Sequence, residues 1–239
     1  MTAGGDHLVS LPVLRGLAAD QPLAMIHFDS HTDLFDSYFG GFKYTHGTPF
    51  RRAIEEGLLD PKHVVQIGIR GTAASFDDIE WGESQGVRII RIEELFDRGI
   101  AAVMEEARSI VGEHPTYCSF DIDFVDPTYA PGTGTPEIGG PNAFQAQQVI
   151  RELRGVDIVG ADLVEVSPPF DPSVRSAWLC VSFILEFMTP CRSRGRPGPP
   201  ASCWSRRPCF PPPRSPARPP QAPPKARLCP CPPPLSRPC

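Results

Sequence analysis

Apolar residues fall in short runs along most of the chain, each bounded by polar or turn-forming positions. The runs at 23–28, 64–69, 87–90, 116–120 and 156–166 are continuous rather than alternating. That is the pattern of parallel strands buried on both faces. Between and around them, apolar positions recur at helical spacing over 8–19, 48–56, 100–111, 143–154 and 174–188. Pro12 and Pro49 sit early in the first two helical segments, and Gly57, Gly112 and Gly155 stand where the second, third and fourth should stop. Strand–helix alternation predicts an α/β fold with a mostly parallel sheet. Ligands of such sheets bind beyond the carboxyl ends of the strands.

Two of the predicted strands run into acidic clusters at that edge. The run 23–28 leads into Asp29-Ser30-His31-Thr32-Asp33, and the run 116–120 into Asp121-Ile122-Asp123. In an extended segment, residues two apart point to the same side. Asp29, His31 and Asp33 are therefore expected to project together, as are Asp121 and Asp123. Carboxylates and imidazole without cysteine suit a hard or borderline divalent cation. Without cations, four clustered carboxylates repel one another and their pKa values rise.

Composition divides the chain in two. Residues 190–239 hold 18 of the 30 prolines, six of the eight cysteines, ten of the Lys and Arg, and no Asp or Glu. Residues 1–189 carry the remaining 13 basic and all 28 acidic side chains, a formal charge of −15 against −5 for the whole chain. An acidic body argues against nucleic acid as a partner and accepts cationic substrates and metal ions. No apolar run reaches the ~18 residues of a membrane span. With no room for a signal peptide before Gly4-Gly5-Asp6-His7, and with Cys118 and Cys180 in apolar settings, a reducing, cytoplasmic location is expected.

The stretch 126–142 is rich in Gly, Pro and Thr and too long for a simple connector, so it reads as a site loop. Residues 190–239 read as a Pro/Arg/Cys-rich disordered tail, with the change near Pro190 suggesting a shifted reading frame or unspliced sequence. Cys229-Pro230-Cys231 fits no usual zinc spacing.

Four motifs taken together carry a family resemblance: Gly4-Gly5-Asp6-His7, Asp29 to Asp33, Ser119-Phe120-Asp121-Ile122-Asp123 with Asp126-Pro127, and Glu165-Val166-Ser167-Pro168-Pro169. In this order they resemble the ureohydrolases, the arginase–agmatinase family. The segments 45–53 and 130–140 resemble the agmatinase and guanidinobutyrase branch. The resemblance covers nearly all of residues 3–190. It implies a three-layer sheet with helices on both faces and two Mn²⁺ ions per subunit. One ion would be held by His7, Asp29, Asp33 and Asp121, the other by Asp29, His31, Asp121 and Asp123. Asp33 would shuttle a proton to the leaving amine, His46 would exchange protons with solvent, and Glu165 would pair with the guanidinium group. The implied reaction is hydrolysis of a guanidino compound, agmatine- or guanidinobutanoate-like, to urea and an amine, in a homo-oligomer (trimer or hexamer).

The resemblance also implies an upstream segment in family members. An N-terminally truncated member is therefore expected, with His7 on a chain end prone to fraying and a sheet edge left unpaired. Val174-Arg175-Ser176 replaces the family's Gly-Asn-Thr, which would bring Arg175 toward the pocket if it points inward. One alternative is a catalytically impaired fragment acting only through oligomer association; another places the function in the Pro-rich tail. Among the remaining polar residues, Asp126 reads as a turn cap, His27 as packing beneath the site, and His63 and His114 as surface residues. Asp6 is expected to orient the backbone near His7, Glu137 and Asp162 to support the site or cap loops, and Lys43 to pair with a carboxylate tail.

Overall fold

The computed structural model describes residues 1–71 and 77–188. Six strands form one wholly parallel sheet: β1 (Thr2–Ala3), β2 (Leu23–Phe28), β3 (Leu59–Ile69), β4 (Arg88–Arg91), β5 (Thr116–Asp121) and β6 (Ile158–Val164), in the spatial order β1-β6-β5-β2-β3-β4. The helices are α1 (Ser10–Leu17), α2 (Pro49–Glu55), α3 (Asp77–Gln85), α4 (Ile92–Arg98), α5 (Ile100–Val111), α6 (Ala143–Arg151) and α7 (Arg175–Met188). Helix α6 opens with a capping box, in which Asn142 and Gln145 each accept the other's main-chain N–H.

Strand pleating sorts the sheet's side chains into two cores. Ala24, Ile26 and Phe28 of β2 join Cys118 and Phe120 of β5 against α4, α5, α6 and α7. Leu23 and Met25 join Tyr117 against α1, α2 and α3. The parallel sheet is as the pattern of runs implied, and helices on both faces are as the family resemblance implied. Among the described residues no helix is long and apolar enough to cross a membrane. Cys118 and Cys180 are buried thiols, and neither is in a disulfide among the described residues.

The structure adds α3, α4 and the two-residue β1 to the elements read from the sequence, and begins β3 at Leu59 rather than at 64. Frayed geometry at His7 is not what the structure has. Thr2 and Ala3 pair with Asp162 and Leu163, Gly4 N–H donates to the Leu163 carbonyl, and Glu165 N–H donates to the Gly5 carbonyl. The start of the chain thus continues the sheet, and the His7 ring is wholly buried. The expected boundary near residue 190 and the tail 190–239 lie outside the described residues.

Candidate metal centre

The strand ends bring all six sequence-derived ligand candidates together. His7 Nδ1 lies 2.8 Å from Asp33 Oδ2, 3.3 Å from Asp121 Oδ2 and 3.5 Å from Asp29 Oδ2. His31 Nδ1 lies 3.0 Å from Asp123 Oδ2 and 3.6 Å from Asp29 Oδ1. Asp29 faces both imidazoles, as the shared position of the two ligand sets requires. The main-chain turns are built to hold the carboxylates: His31 N–H donates to Asp29 Oδ1, Asp123 N–H to Asp121 Oδ1, and Ser30 N–H to Asp123 Oδ1. Asp33 and Glu165 adopt left-handed backbone conformations, φ 54° and 59°. Such strain costs about 1–3 kcal/mol and persists where the surroundings enforce it. Gly71 makes room for the cluster, because a Cβ there would run into the His31 ring.

Beneath the ligands runs a row of buried polar side chains that sequence reasoning largely missed. Gln66, His27, Ser119 and Asp162 occupy one register line across β3, β2, β5 and β6, and all are buried. Asp162 accepts hydrogen bonds from Ser10 Oγ (2.5 Å), Tyr117 OH (2.5 Å) and Ser119 Oγ (2.7 Å). Since Ser119 gives its proton to Asp162, it accepts from His7 Nε2–H at 2.8 Å. That tautomer turns the His7 Nδ1 lone pair toward three carboxylates, and Nδ1 is buried without a hydrogen-bond partner. An imidazole lone pair facing carboxylate oxygens is repulsive until a proton or a cation lies between them. The site therefore fits a metal. His27 supports it from below: it donates to Asp29 Oδ2 (2.8 Å) and accepts from Gln66 Nε2 (3.1 Å). Burial holds the His27 pKa down at about 3, so the ring is neutral. Packing beneath the site is the role expected for it, although it lies within ligand reach of His7 and Asp29.

Protonation follows from the same crowding. Burial, then the charge of Asp123, pushes the carboxyl groups of Asp29 and Asp121 well above their usual range. Burial works against charge on His7 and His31. Asp33 and Asp121 nevertheless raise His7 well above its usual value, and hydrogen bonding to Asp123 and Asp29 pushes His31 up to about 12. For each of these four groups the folded pKa exceeds the unfolded one. Their stabilisation is therefore full below the unfolded pKa and is lost as pH rises through the folded value. His27, lowered in the fold, works oppositely, but only below its unfolded pKa of about 6.5. In the presence of a chelator, the melting temperature should therefore fall from about pH 7 to pH 9. With Mn²⁺ it should instead hold or rise, because metals displace these protons. Equal pH slopes with and without Mn²⁺ in a thermal melt would count against the cluster as a metal centre.

A cavity of about 210 Å³ opens above the cluster. His31, Asp33, His46, Asp121, Glu137 and Glu165 line it, with Phe35 and Tyr38 as an apolar wall. Glu165 accepts the His7 main-chain N–H at 2.6 Å, and burial raises its pKa. His46 is held by ring-edge contacts with Tyr38 and Phe39, 5.5 Å between centroids in each case. Glu137 Oε1 stands 3.7 Å from His31 Nε2, and Thr135 Oγ1 donates to Asp123 Oδ2 at 3.3 Å. Arg175 does not point into this cavity; its guanidinium donates to Ser173 Oγ and the Thr128 carbonyl instead. Lys43 is exposed and is not among the cavity's lining residues. Asp126 caps its own turn through Thr128 N–H and Gly139 N–H, and Asp6 accepts from Leu8 N–H. His63 and His114 form a tilted ring pair outside the cavity lining, 3.9 Å between centroids and 32° between planes.

A parallel α/β sheet with imidazoles and carboxylates converging at its carboxyl edge defines an α/β protein with a candidate divalent-metal site. The chain belongs to the arginase family, whose sequence model matches residues 1–189. It is 56% identical over 188 residues to a guanidinopropionase of Pseudomonas aeruginosa, covering 79% of this chain and 59% of that protein. It is 45% identical over 189 residues to a guanidinobutyrase of the same organism, again covering 79% and 59%. Among solved structures, the proclavaminate amidino hydrolase of Streptomyces clavuligerus superposes with a TM-score of 0.73 at 38% identity, covering 78% of this chain and 62% of that one. The chain thus spans about three-fifths of the length of these relatives.

Proposed function

We propose that this chain is the metal-binding part of a dimanganese amidinohydrolase that releases urea from a small guanidino compound. The observation that carries this reading is the His7 lone pair, buried and held by Ser119 and Asp162 in the tautomer that faces Asp29, Asp33 and Asp121. His7, Asp29, Asp33 and Asp121 would hold one ion, and Asp29, His31, Asp121 and Asp123 the other. Four ionised carboxylates and two neutral imidazoles would balance two divalent cations. When bound, the pair supplies Lewis acidity and lowers the pKa of water from 15.7 toward about 7.

The chain's own groups do the rest. Glu165, at the cavity wall, pairs with the guanidinium group and presents its carbon to the cluster. Asp33 takes a proton from the attacking water and delivers it to the departing nitrogen. The C–O bond forms, the C–N bond to the alkylamine breaks, and urea and an alkylammonium leave. His46, at the mouth, exchanges protons with solvent. The relatives' names point to guanidino acids. Buried Cys118 and Cys180 thiols fit a reducing compartment such as the cytoplasm. A homotrimer or homohexamer belongs to the same proposal, on family resemblance.

The test is urea release from 3-guanidinopropanoate, 4-guanidinobutanoate and agmatine, with bound metal counted on the same sample. Turnover of at least one substrate with two Mn²⁺ per chain is expected. No urea from any of them, together with fewer than two bound ions, would overturn the proposal.

A further inference from the structure

The long loop 126–142 has to place Thr135 and Glu137 beside His31 and Asp123, yet it offers no regular structure to do so. It closes on itself at its base. Asp126 N–H donates to the Pro141 carbonyl, and Asp126 Oδ2 accepts from Gly139 N–H at 2.9 Å. What ties the loop to the sheet is Arg70, just past the end of β3. Its guanidinium donates to four main-chain carbonyls: Gly68 (3.2 Å), Asp123 (2.8 Å), Glu137 (2.8 Å) and Ile138 (3.1 Å). These lie on three separate segments: the end of β3, the turn that carries the Asp121 and Asp123 ligands, and the loop. Nη2 alone bridges the Asp123 and Glu137 carbonyls. The fit is tight, since a Cβ on Gly140 would stand 2.5 Å from Arg70 Nη2 and 2.7 Å from the Phe124 carbonyl.

We infer that Arg70 is a positioning residue: it straps the loop to the turn bearing Asp123, and so sets Thr135 and Glu137 against Asp123 and His31. The planar fork is needed because its donors diverge toward three segments, whereas a lysine ammonium is a single point with three donors. Arg70 hydrogen-bonds no ligand side chain and meets the cavity-lining Glu137 only at its main-chain carbonyl, so it acts by holding the backbone of the loop and of the Asp123 turn. The consequence is selective: the ion set of His31 and Asp123 depends on Arg70, and the His7 and Asp33 set does not. This consequence rests on the proposed binuclear centre; the strap itself does not.

The experiment compares the parent chain with Arg70→Lys and Arg70→Ala by hydrogen exchange without metal, followed by Mn²⁺ titration. Peptides covering residues 133–140 should exchange about tenfold faster or more in both variants, with β5 and α5 unchanged. In titration, the affinity for one Mn²⁺ should fall about 10- to 100-fold while the other is retained. Loop exchange unchanged in both variants would overturn the strap, whatever the activity. So would a uniform rise across the chain in both, which marks general destabilisation. If loop exchange rises but the parent itself binds no pair of ions, the strap stands and the dimanganese reading falls.

Discussion

Replacing Asp123 by alanine should remove one of two bound Mn²⁺ ions and lower kcat/KM on the order of 10³-fold or more, about 4 kcal/mol of transition-state stabilisation. Asp123 is buried and faces His31 Nδ1 at 3.0 Å. Ser30 Oγ and Thr135 Oγ1 both donate to it, which fixes where its oxygens point. Burial works against its ionisation, but hydrogen bonds from His31 hold its pKa below the ordinary carboxylate range, so it is an anion at every working pH. Without it, His31 and the shared carboxylates offer too few donors for the second ion. The first set, His7 with Asp29, Asp33 and Asp121, is untouched.

In the metal-free protein the same substitution has two opposed effects. Burial, then Asp123's charge, raises the pKa values of Asp29 and Asp121, so deleting the charge relieves repulsion among buried carboxylates. It also leaves His31 without its 3.0 Å partner and Ser30 Oγ without its acceptor. Asp123→Ala should gain less thermal stability than the parent from Mn²⁺. A fully metallated, active variant would refute the ligand assignment.

Five of the six ligand candidates, Asp29, His31, Asp33, Asp121 and Asp123, were legible because they follow strands of buried apolar residues, whereas His7 was legible only through the family resemblance. Parity along β2 and β5 then gives their direction. The polar row beneath was legible only in part. Gln66 and Ser119 interrupt apolar runs on the parity of the ligands, which is a signal. Their pairing with His27 and Asp162 depends on strand register, which a single sequence does not state. Arg70 gave no local signal at all, because its partners are main-chain carbonyls as far away as Ile138.

Element errors have similar causes. Helix α3 has little apolar periodicity and carries Gly82, where a Cβ would stand 2.7 Å from Leu34. Helix α4 begins at Ile92, directly after β4, and its seven residues are too short a stretch to show a helical period beside the strand run 87–90. Asp60, Pro61 and Lys62 hid the early part of β3, whose Leu59 pairs with Leu23 across a register shift. Two residues at the chain start carry too little pattern to reveal β1. Yet their pairing with β6 is what seats His7.

Glu165→Gln should leave both Mn²⁺ ions in place and still lower kcat/KM about 30- to 1000-fold, the cost of losing one partner of a buried, hydrogen-bonded charge pair. The isosteric amide keeps an oxygen to accept the His7 main-chain N–H, so the seat of His7 survives. An alanine would lose that bond too and confuse the two effects. In the proposed role Glu165 would pair with a group that is cationic before and during the reaction, so the loss should appear first as a higher KM. Only an ionised Glu165 can pair in this way, and burial raises its pKa. In the parent, kcat/KM should accordingly climb with pH as Glu165 ionises, above the usual glutamate value of about 4.3. In the variant that limb should be absent. Full metal content with KM unchanged would remove Glu165 from substrate binding. Loss of an ion would make it a support of the cluster instead. Measured beside Asp123→Ala, the pair of variants separates the two jobs assigned to the carboxylates of this cavity: Asp123 holds a cation of the protein, and Glu165 holds the cation of the substrate.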